Sequence, residues 1–153
     1  MKIMFVCHGN ICRSPMAEFI FRKMCYEGGL TGIEIASAAT SSEEIYNGVG
    51  NPVYPQARQQ LEKRGIDCGG KRAVQLTRED YNHYDIFIGM DNNNIRNIHR
   101  IFGGDPDNKV CRLLDYVGGG EVADPWYTGG FELAYNDIER GCRALYQEIV
   151  KGL

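Results

Sequence analysis

Ile3-Met4-Phe5-Val6-Cys7-His8-Gly9-Asn10-Ile11-Cys12-Arg13-Ser14-Pro15 passes from an apolar run through a polar, glycine-containing loop into a helix start. Ile3 to Val6 is short and continuously apolar, the pattern of a strand covered on both faces. Ser14 is a good N-cap residue and Pro15 suits the first helical position, so a helix is predicted to begin there. Met16, Phe19, Ile20 and Met24 give that helix an apolar face, and Gly28-Gly29 ends it.

The rest of the chain repeats this alternation. Ile33 to Ser37 reads as a second strand, and Asn51-Pro52 opens a helix carrying Ala57, Leu61 and Arg64, with Gly65 as its stop. Thr77 with Asp80 starts a short helix, Ile86-Phe87-Ile88 is a third strand, and Ile95, Ile98 and Ile101 line the helix after it. Val110 to Leu114 reads as a fourth strand. Phe131, Ala134, Ile138, Cys142, Leu145 and Ile149 mark a long C-terminal helix by their spacing. Strand and helix in turn predict the α/β class: a four-stranded parallel sheet with helices on both faces, three layers in all. No linker or repeat interrupts residues 1–153, which are expected to form one domain.

Composition narrows the function classes. A chain of 153 residues, 43% hydrophobic, can bury one good core without metal or disulfide staples. The run near Ile3 to Val6 is the longest apolar stretch and far too short to cross a bilayer. Met-Lys leads directly into it, without the apolar region of a signal peptide, so a cytoplasmic protein with no membrane partner is expected. The six cysteines (Cys7, Cys12, Cys25, Cys68, Cys111 and Cys142) are then expected to be reduced thiols. Cys7, His8 and Cys12 lack the paired ligand spacing of a zinc site, so no metal is expected. A net charge of −3 with no basic run speaks against nucleic acid, and an anionic substrate must be held by local charge.

The Cys7–Ser14 loop supplies that charge. Between a strand and a helix N-terminus, successive backbone N–H groups converge into a nest that binds anions. Gly9 and Asn10 tolerate positive φ, which so tight a cradle needs. Arg13, five residues beyond Cys7, can return over the loop and grip two phosphate oxygens with its planar fork. The same donors favour the thiolate of Cys7, the nucleophilic form. A bare Cys-x5-Arg spacing is weak evidence, since six cysteines make chance matches common. Its position between strand and cap, with Gly and Asn inside, separates it from the plain alternative of a buried cysteine in an ordinary turn.

Neighbouring residues carry two readings each. Ser14 is a helix cap or a hydroxyl donating to the thiolate, and both can hold. Cys12 is a small buried hydrophobe or a thiol that can pair with Cys7 on oxidation. His8 reads as a solvent-facing loop residue rather than a base, and His83 and His99 as surface residues.

Asp124-Pro125-Trp126-Tyr127 follows the fourth strand. Loops after parallel strands share one rim, which places this segment beside the Cys7 loop. Asp124 there can protonate a departing ester oxygen, while Trp126 and Tyr127 can wall a pocket for an aromatic ring. Alone, the segment would read as a turn-forming Asp-Pro with two half-buried aromatics.

The Cys7–Ser14 string with Pro15, and Asp124-Pro125 followed by two aromatics, resemble the low-molecular-weight protein tyrosine phosphatases. The likeness continues through Ser37-Ala38-Ala39-Thr40-Ser41, Gly65-Ile66 and Met90-Asp91 to the closing helix. It implies a phosphocysteine on Cys7, a transition state held by Arg13, and Asp124 as the acid that then helps water attack. His8, Gly9, Asn10, Ile11, Cys12 and Ser14 would bind the phosphate, with Ser37 and Asn10 shaping the loop. No metal or cofactor is implied. The expected substrates are phosphotyrosine-bearing proteins or small aryl phosphates, met by a monomer. Two positions depart from the family pattern. Glu43 or Glu44 stands where members often carry an aromatic wall, with Tyr46 as its candidate substitute, and Lys71 or Gly70 stands where some have a loop-supporting histidine.

Three rivals remain. Arsenate reductases of the same fold need relay cysteines, which the stretch Gly89 to Asn94 lacks. Protein-arginine phosphatases carry a small threonine where Ile11 stands, and Ile11 favours an aryl ester. A non-catalytic phosphate-binding or redox-sensing module would not need both Cys7 and Asp124.

Overall fold

Along β1 (Lys2–Cys7) the side chains take opposite faces in turn. Ile3, Phe5 and Cys7 enter a larger apolar core, while Met4 and Val6 enter a smaller one behind the sheet. A strand covered on both sides has no reason to alternate apolar with polar residues, and this one does not. The computed structural model describes residues 1–153.

In chain order β1 is followed by α1 (Arg13–Glu27), β2 (Glu34–Ala39) and a hairpin of β3 (Ile45–Tyr46) with β4 (Val49–Gly50). Next come α2 (Pro55–Glu62), α3 (Asp80–His83), β5 (Ile86–Gly89) and α4 (Asn92–Phe102). β6 (Val110–Arg112), a 3-10 turn (Leu113–Val117), α5 (Pro125–Thr128) and α6 (Phe131–Lys151) complete the chain. The main sheet has four strands in the order β2-β1-β5-β6. All its pairings are parallel, with Cys7 opposite Ala39 on one side and Val6 opposite Gly89 on the other.

Helices cover both faces. Met16, Ile20 and Phe21 of α1 meet Tyr135, Ile138, Cys142 and Leu145 of α6 in the larger core. Ile98 and Phe102 of α4 join Leu76, Tyr81 and Phe87 in the smaller one. Gly141 lets α6 approach the 3-10 turn, since a Cβ there would lie 2.6 Å from Leu113 Cγ. No helix is long and apolar enough to cross a membrane.

Four local features differ from the sequence expectation, each for a physical reason. Leu113 and Leu114 leave the sheet, because the Asp115 carboxylate takes the Arg112 N–H (2.9 Å) and turns the chain at the end of β6. The second long helix begins at Pro55 rather than Asn51-Pro52. Asn51 commits its side chain to Glu44 Oε2 (2.7 Å), and Pro52 forms a bridge with Arg72. α1 begins at Arg13 with Cys12 as its N-cap, since the Ser14 hydroxyl is turned toward Cys7. The β3–β4 hairpin was not expected. Asn47 (φ 50°) and Gly48 (φ 77°) form its turn, a sequence pair that favours such tight reversals.

Going from β1 to β2 and then across to β5, the chain reverses its direction of growth beside β1. Crevices open at such a point, outside the carboxyl ends of the strands. The Cys7 loop leaves β1 there.

Candidate active site

Cys7 ends β1 with 3% of its surface exposed, and the loop behind it is shaped by Asn10. Asn10 sits at φ 58°, a conformation its short amide side chain tolerates. That side chain is buried and spans three segments. Its Nδ2 donates to Ser14 Oγ (2.8 Å) and Ser37 Oγ (2.9 Å), and its Oδ1 accepts from Val74 N (3.0 Å). Ser14 Oγ lies 3.0 Å from Cys7 Sγ. Because Asn10 donates into Ser14 Oγ, the serine proton is free to point at sulfur, and Ser14 N also donates to it at 3.4 Å. The backbone N–H groups of His8 to Arg13 donate to no acceptor in the protein. They are available to an anion held over Cys7.

A second row of contacts supports the first. Ser37 Oγ donates to Glu18 Oε1 (2.6 Å), and Glu18 is itself 5% exposed. Arg22 Nε donates to Glu18 Oε2 (3.0 Å). Lys71 Nζ donates to Ser37 O (3.0 Å) and lies 3.8 Å from Glu18 Oε1. Burial pushes the Lys71 ammonium down from its ordinary range, against the pull of Glu18 and Cys7. Of the two positions read in place of the family's histidine, Lys71 is the one that reaches the loop support.

Arg13 is 3% exposed and already fixed in place. Its Nη1 donates to Asp91 Oδ2 (2.7 Å) and Val122 O (2.8 Å), and its Nη2 lies 3.5 Å from Asp124 Oδ2. Burial alone would lower its pKa, but the charge of Cys7 and the Asp91 contact outweigh this and hold it above the ordinary arginine value. Asp91 caps α4 by accepting from Asn94 N (2.8 Å) while Asn94 Oδ1 accepts from Asp91 N (3.2 Å). The arginine therefore hangs on a helix terminus.

Asp124 caps α5 through Oδ1, which accepts from Trp126 N (3.1 Å), and leaves Oδ2 toward Arg13. Cys7, Arg13 and Asp124 line one cavity of about 140 Å³ together with His8, Gly9, Ile11 and Cys12. Trp126 and Tyr127 line its mouth, and Glu43 and Glu44 face it from the segment before β3. Asn10, Ser14 and Ser37 lie beneath, buried. His8 is half exposed, with Nε2 3.1 Å from Glu43 Oε2. Burial pushes the Cys12 thiol well up, aided by the charge of Cys7 and opposed by Arg13. No group of three His, Cys, Asp or Glu side chains is placed to hold a metal ion.

Trp126 and Tyr127 stand where the sequence reading put them, but the opposite aromatic wall is not Tyr46. Tyr46 is 80% exposed at the hairpin and stands outside the cavity lining. Tyr54 fills the role instead: it meets Trp126 edge-on at 5.2 Å and stacks on Phe131 at 5.8 Å. Sequence reasoning also gave no role to Glu18, Asp91 or Tyr54. Glu18 had a signal, a lone charge inside the apolar stretch from Met16 to Ile20. Asp91 had another, as an aspartate opening a helix three residues before Asn94. Tyr54 had none, because only tertiary folding brings it to the mouth.

A buried cysteine under an open nest of N–H groups, with arginine and aspartate beside it, is the equipment of a phosphate-handling α/β protein. The chain belongs to the low molecular weight phosphotyrosine protein phosphatase family, whose sequence profile matches residues 2–153. It is 39% identical over 155 residues to the low molecular weight protein-tyrosine-phosphatase YfkJ of Bacillus subtilis, covering 99% of this chain and 97% of that protein. The crystal structure of YfkJ matches with a TM-score of 0.92 at 38% identity, over 99% of this chain and 96% of that one. The human low molecular weight phosphotyrosine protein phosphatase is 33% identical over 157 residues, covering 96% of this chain and 94% of that protein. The YwlE arginine phosphatase, solved as a mutant with a phosphorylated active-site serine, matches with a TM-score of 0.85 at 29% identity, over 99% and 97%. YwlE is from Bacillus subtilis.

Proposed function

We propose that this chain hydrolyses phosphotyrosine and related aryl phosphate monoesters through a phosphocysteine intermediate on Cys7. The observation that carries the reading is the Asn10–Ser14–Cys7 relay, set under free N–H groups in the cavity whose rim holds Asp124. The Cys7 thiolate attacks phosphorus as the bond to the aryl oxygen breaks, and Asp124 in its acid form protonates that oxygen. Arg13 and the loop N–H groups hold the three equatorial oxygens as charge shifts onto them. Water then attacks phosphorus and gives a proton to Asp124, and the sulfur leaves as thiolate, sheltered by the Ser14 hydroxyl. Inorganic phosphate is the second product.

Ile11 supports an aryl leaving group over a guanidinium one. It lines the cavity with an apolar side chain, which can pack on a ring but offers no hydrogen bond to nitrogen. All three reacting side chains come from one chain, so a monomer suffices. A thiolate nucleophile needs a reducing compartment, which supports a cytoplasmic location.

The test is hydrolysis of phosphotyrosine, phosphoserine and phosphoarginine peptides side by side, with chelator present. Phosphotyrosine should turn over fastest, at a rate the chelator leaves unchanged. Faster cleavage of either other peptide overturns the reading.

A further inference from the structure

Glu43 and Glu44 face the cavity together, and their surroundings are unequal. Glu43 is largely exposed and its carboxylate lies against His8 at 3.1 Å. Glu44 is held from three sides. Its Oε2 accepts from Asn51 Nδ2 and its backbone oxygen from Asn51 N, each at 2.7 Å. Its stem lies over Gly9, where a Cβ would come within 3.2 Å of Glu44 Cγ. The space left by that glycine is filled by the glutamate, and no cationic side chain pairs with it.

Glu44 is also shared between two hollows. Together with Ile11 and Tyr54 it lines both the catalytic cavity and an adjoining one of about 420 Å³, floored by Pro52, Val53 and Pro55. Arg58 lies in the lining of this second cavity, so its two charges are of opposite sign. A phosphotyrosine seated over Cys7 would bring an adjoining residue of its chain toward the wall that the two cavities share. A side chain with an apolar stem and a cationic head fits there, its stem on Tyr54 and the prolines and its head on Glu44. Arg58 repels the head, confining it to the Glu44 side.

We propose that Glu44, assisted by Glu43, makes the enzyme select phosphotyrosine flanked by a lysine or arginine, whose side chain occupies the cavity beside Tyr54. The inference rests on the aryl phosphatase reading above. Attraction of a lysine and repulsion of a glutamate at a partly exposed carboxylate together give roughly a tenfold preference at low ionic strength, fading as salt rises.

The experiment compares kcat/KM for phosphotyrosine peptides carrying lysine, norleucine or glutamate immediately before or after the phosphotyrosine. Each is run on the wild type, Glu44→Gln and Glu44→Lys, and the lysine, norleucine and glutamate peptides are compared as ratios within each protein. Lysine should exceed norleucine, and norleucine glutamate, at one or both positions. Glu44→Gln should flatten the series and Glu44→Lys invert it. Norleucine matching lysine, or a series unchanged in Glu44→Gln, overturns the inference and leaves the phosphatase reading intact. Failure to cleave any phosphotyrosine peptide overturns both.

Discussion

Replacing Ser37 with alanine removes one oxygen from the centre of the loop support. That oxygen accepts from Asn10 Nδ2 at 2.9 Å and donates to Glu18 Oε1 at 2.6 Å, with Ser37 1% exposed. A neutral buried hydrogen bond contributes about 1 kcal/mol net, and one to a charged group about 1.5–3 kcal/mol. Remaining partners soften the loss, since Asn10 keeps Ser14 and Val74 while Glu18 keeps Arg22. The expected cost is about 2–3 kcal/mol of stability, or roughly 4–12 °C in Tm for a chain of this size. Because two of Asn10's three hydrogen bonds survive, the loop should keep its shape, and kcat/KM should fall less than about tenfold, or ~1.4 kcal/mol. Urea titration of Ser37→Ala, Glu18→Gln and the double variant measures the effect, with aryl phosphate hydrolysis followed alongside. The double-mutant cycle should show a coupling of about 1 kcal/mol or more. A stability loss under about 0.5 kcal/mol, or additive single losses, would refute the claim that the serine ties the loop to a buried carboxylate.

Asp124→Asn should slow cleavage of phosphotyrosine by roughly a hundredfold, with a deficit that shrinks as the leaving group becomes more acidic. Burst kinetics over a series of aryl phosphates would show this, and a defect independent of leaving-group pKa would mean that Asp124 only holds its loop. Mild peroxide should convert Cys7 to a sulfenic acid that the Cys12 thiol attacks with loss of water. Mass spectrometry should then find a reversible Cys7–Cys12 disulfide, whereas over-oxidised Cys7 alone contradicts it. Asp105 tests pH dependence away from the site. Burial pushes its carboxyl up, but Tyr81 Oη, the N–H groups of Lys109 and Val110, and His99 outweigh it and hold the folded pKa below 3.8. Its stabilising contribution is therefore present above that value and is lost as pH falls through the folded pKa. Asp105→Asn should lower the urea midpoint at neutral pH by a margin that narrows in acid, and a constant margin would contradict the sign.

Much of this architecture was readable from local pattern. Ile3 to Val6 is apolar at every position because β1 lies between two cores, and α6 shows its buried face through spacing. By contrast, α1 buries Ala17, Phe21 and Cys25 beside the expected Met16 and Ile20 and leaves Phe19 and Met24 only partly buried. The nearness of Asp124 to Cys7 followed from parallel topology alone, since loops after parallel strands gather at one edge. What stayed hidden was decided by side chains reaching across the fold. Asp115 capturing the Arg112 N–H ends β6 early, and Asn51 turning to Glu44 delays α2. The hairpin at Asn47-Gly48 carried a turn signal, but its two-residue strands are too short to show alternation. Glu18 stands out as a lone charge among apolar neighbours, but nothing local in the chain shows that Ser37, Lys71 and Arg22 converge on it.

In the proposed reaction Cys7 itself carries the phosphoryl group between the two steps. Rapid quenching of the wild type during turnover of an aryl phosphate, followed by acid digestion and mass spectrometry, tests it most directly. One phosphoryl group should appear on the peptide containing Cys7, formed in a burst with the released phenol and decaying as inorganic phosphate appears. Phosphate released at full rate with no phosphoryl group on Cys7, or with the group on another residue, would contradict it.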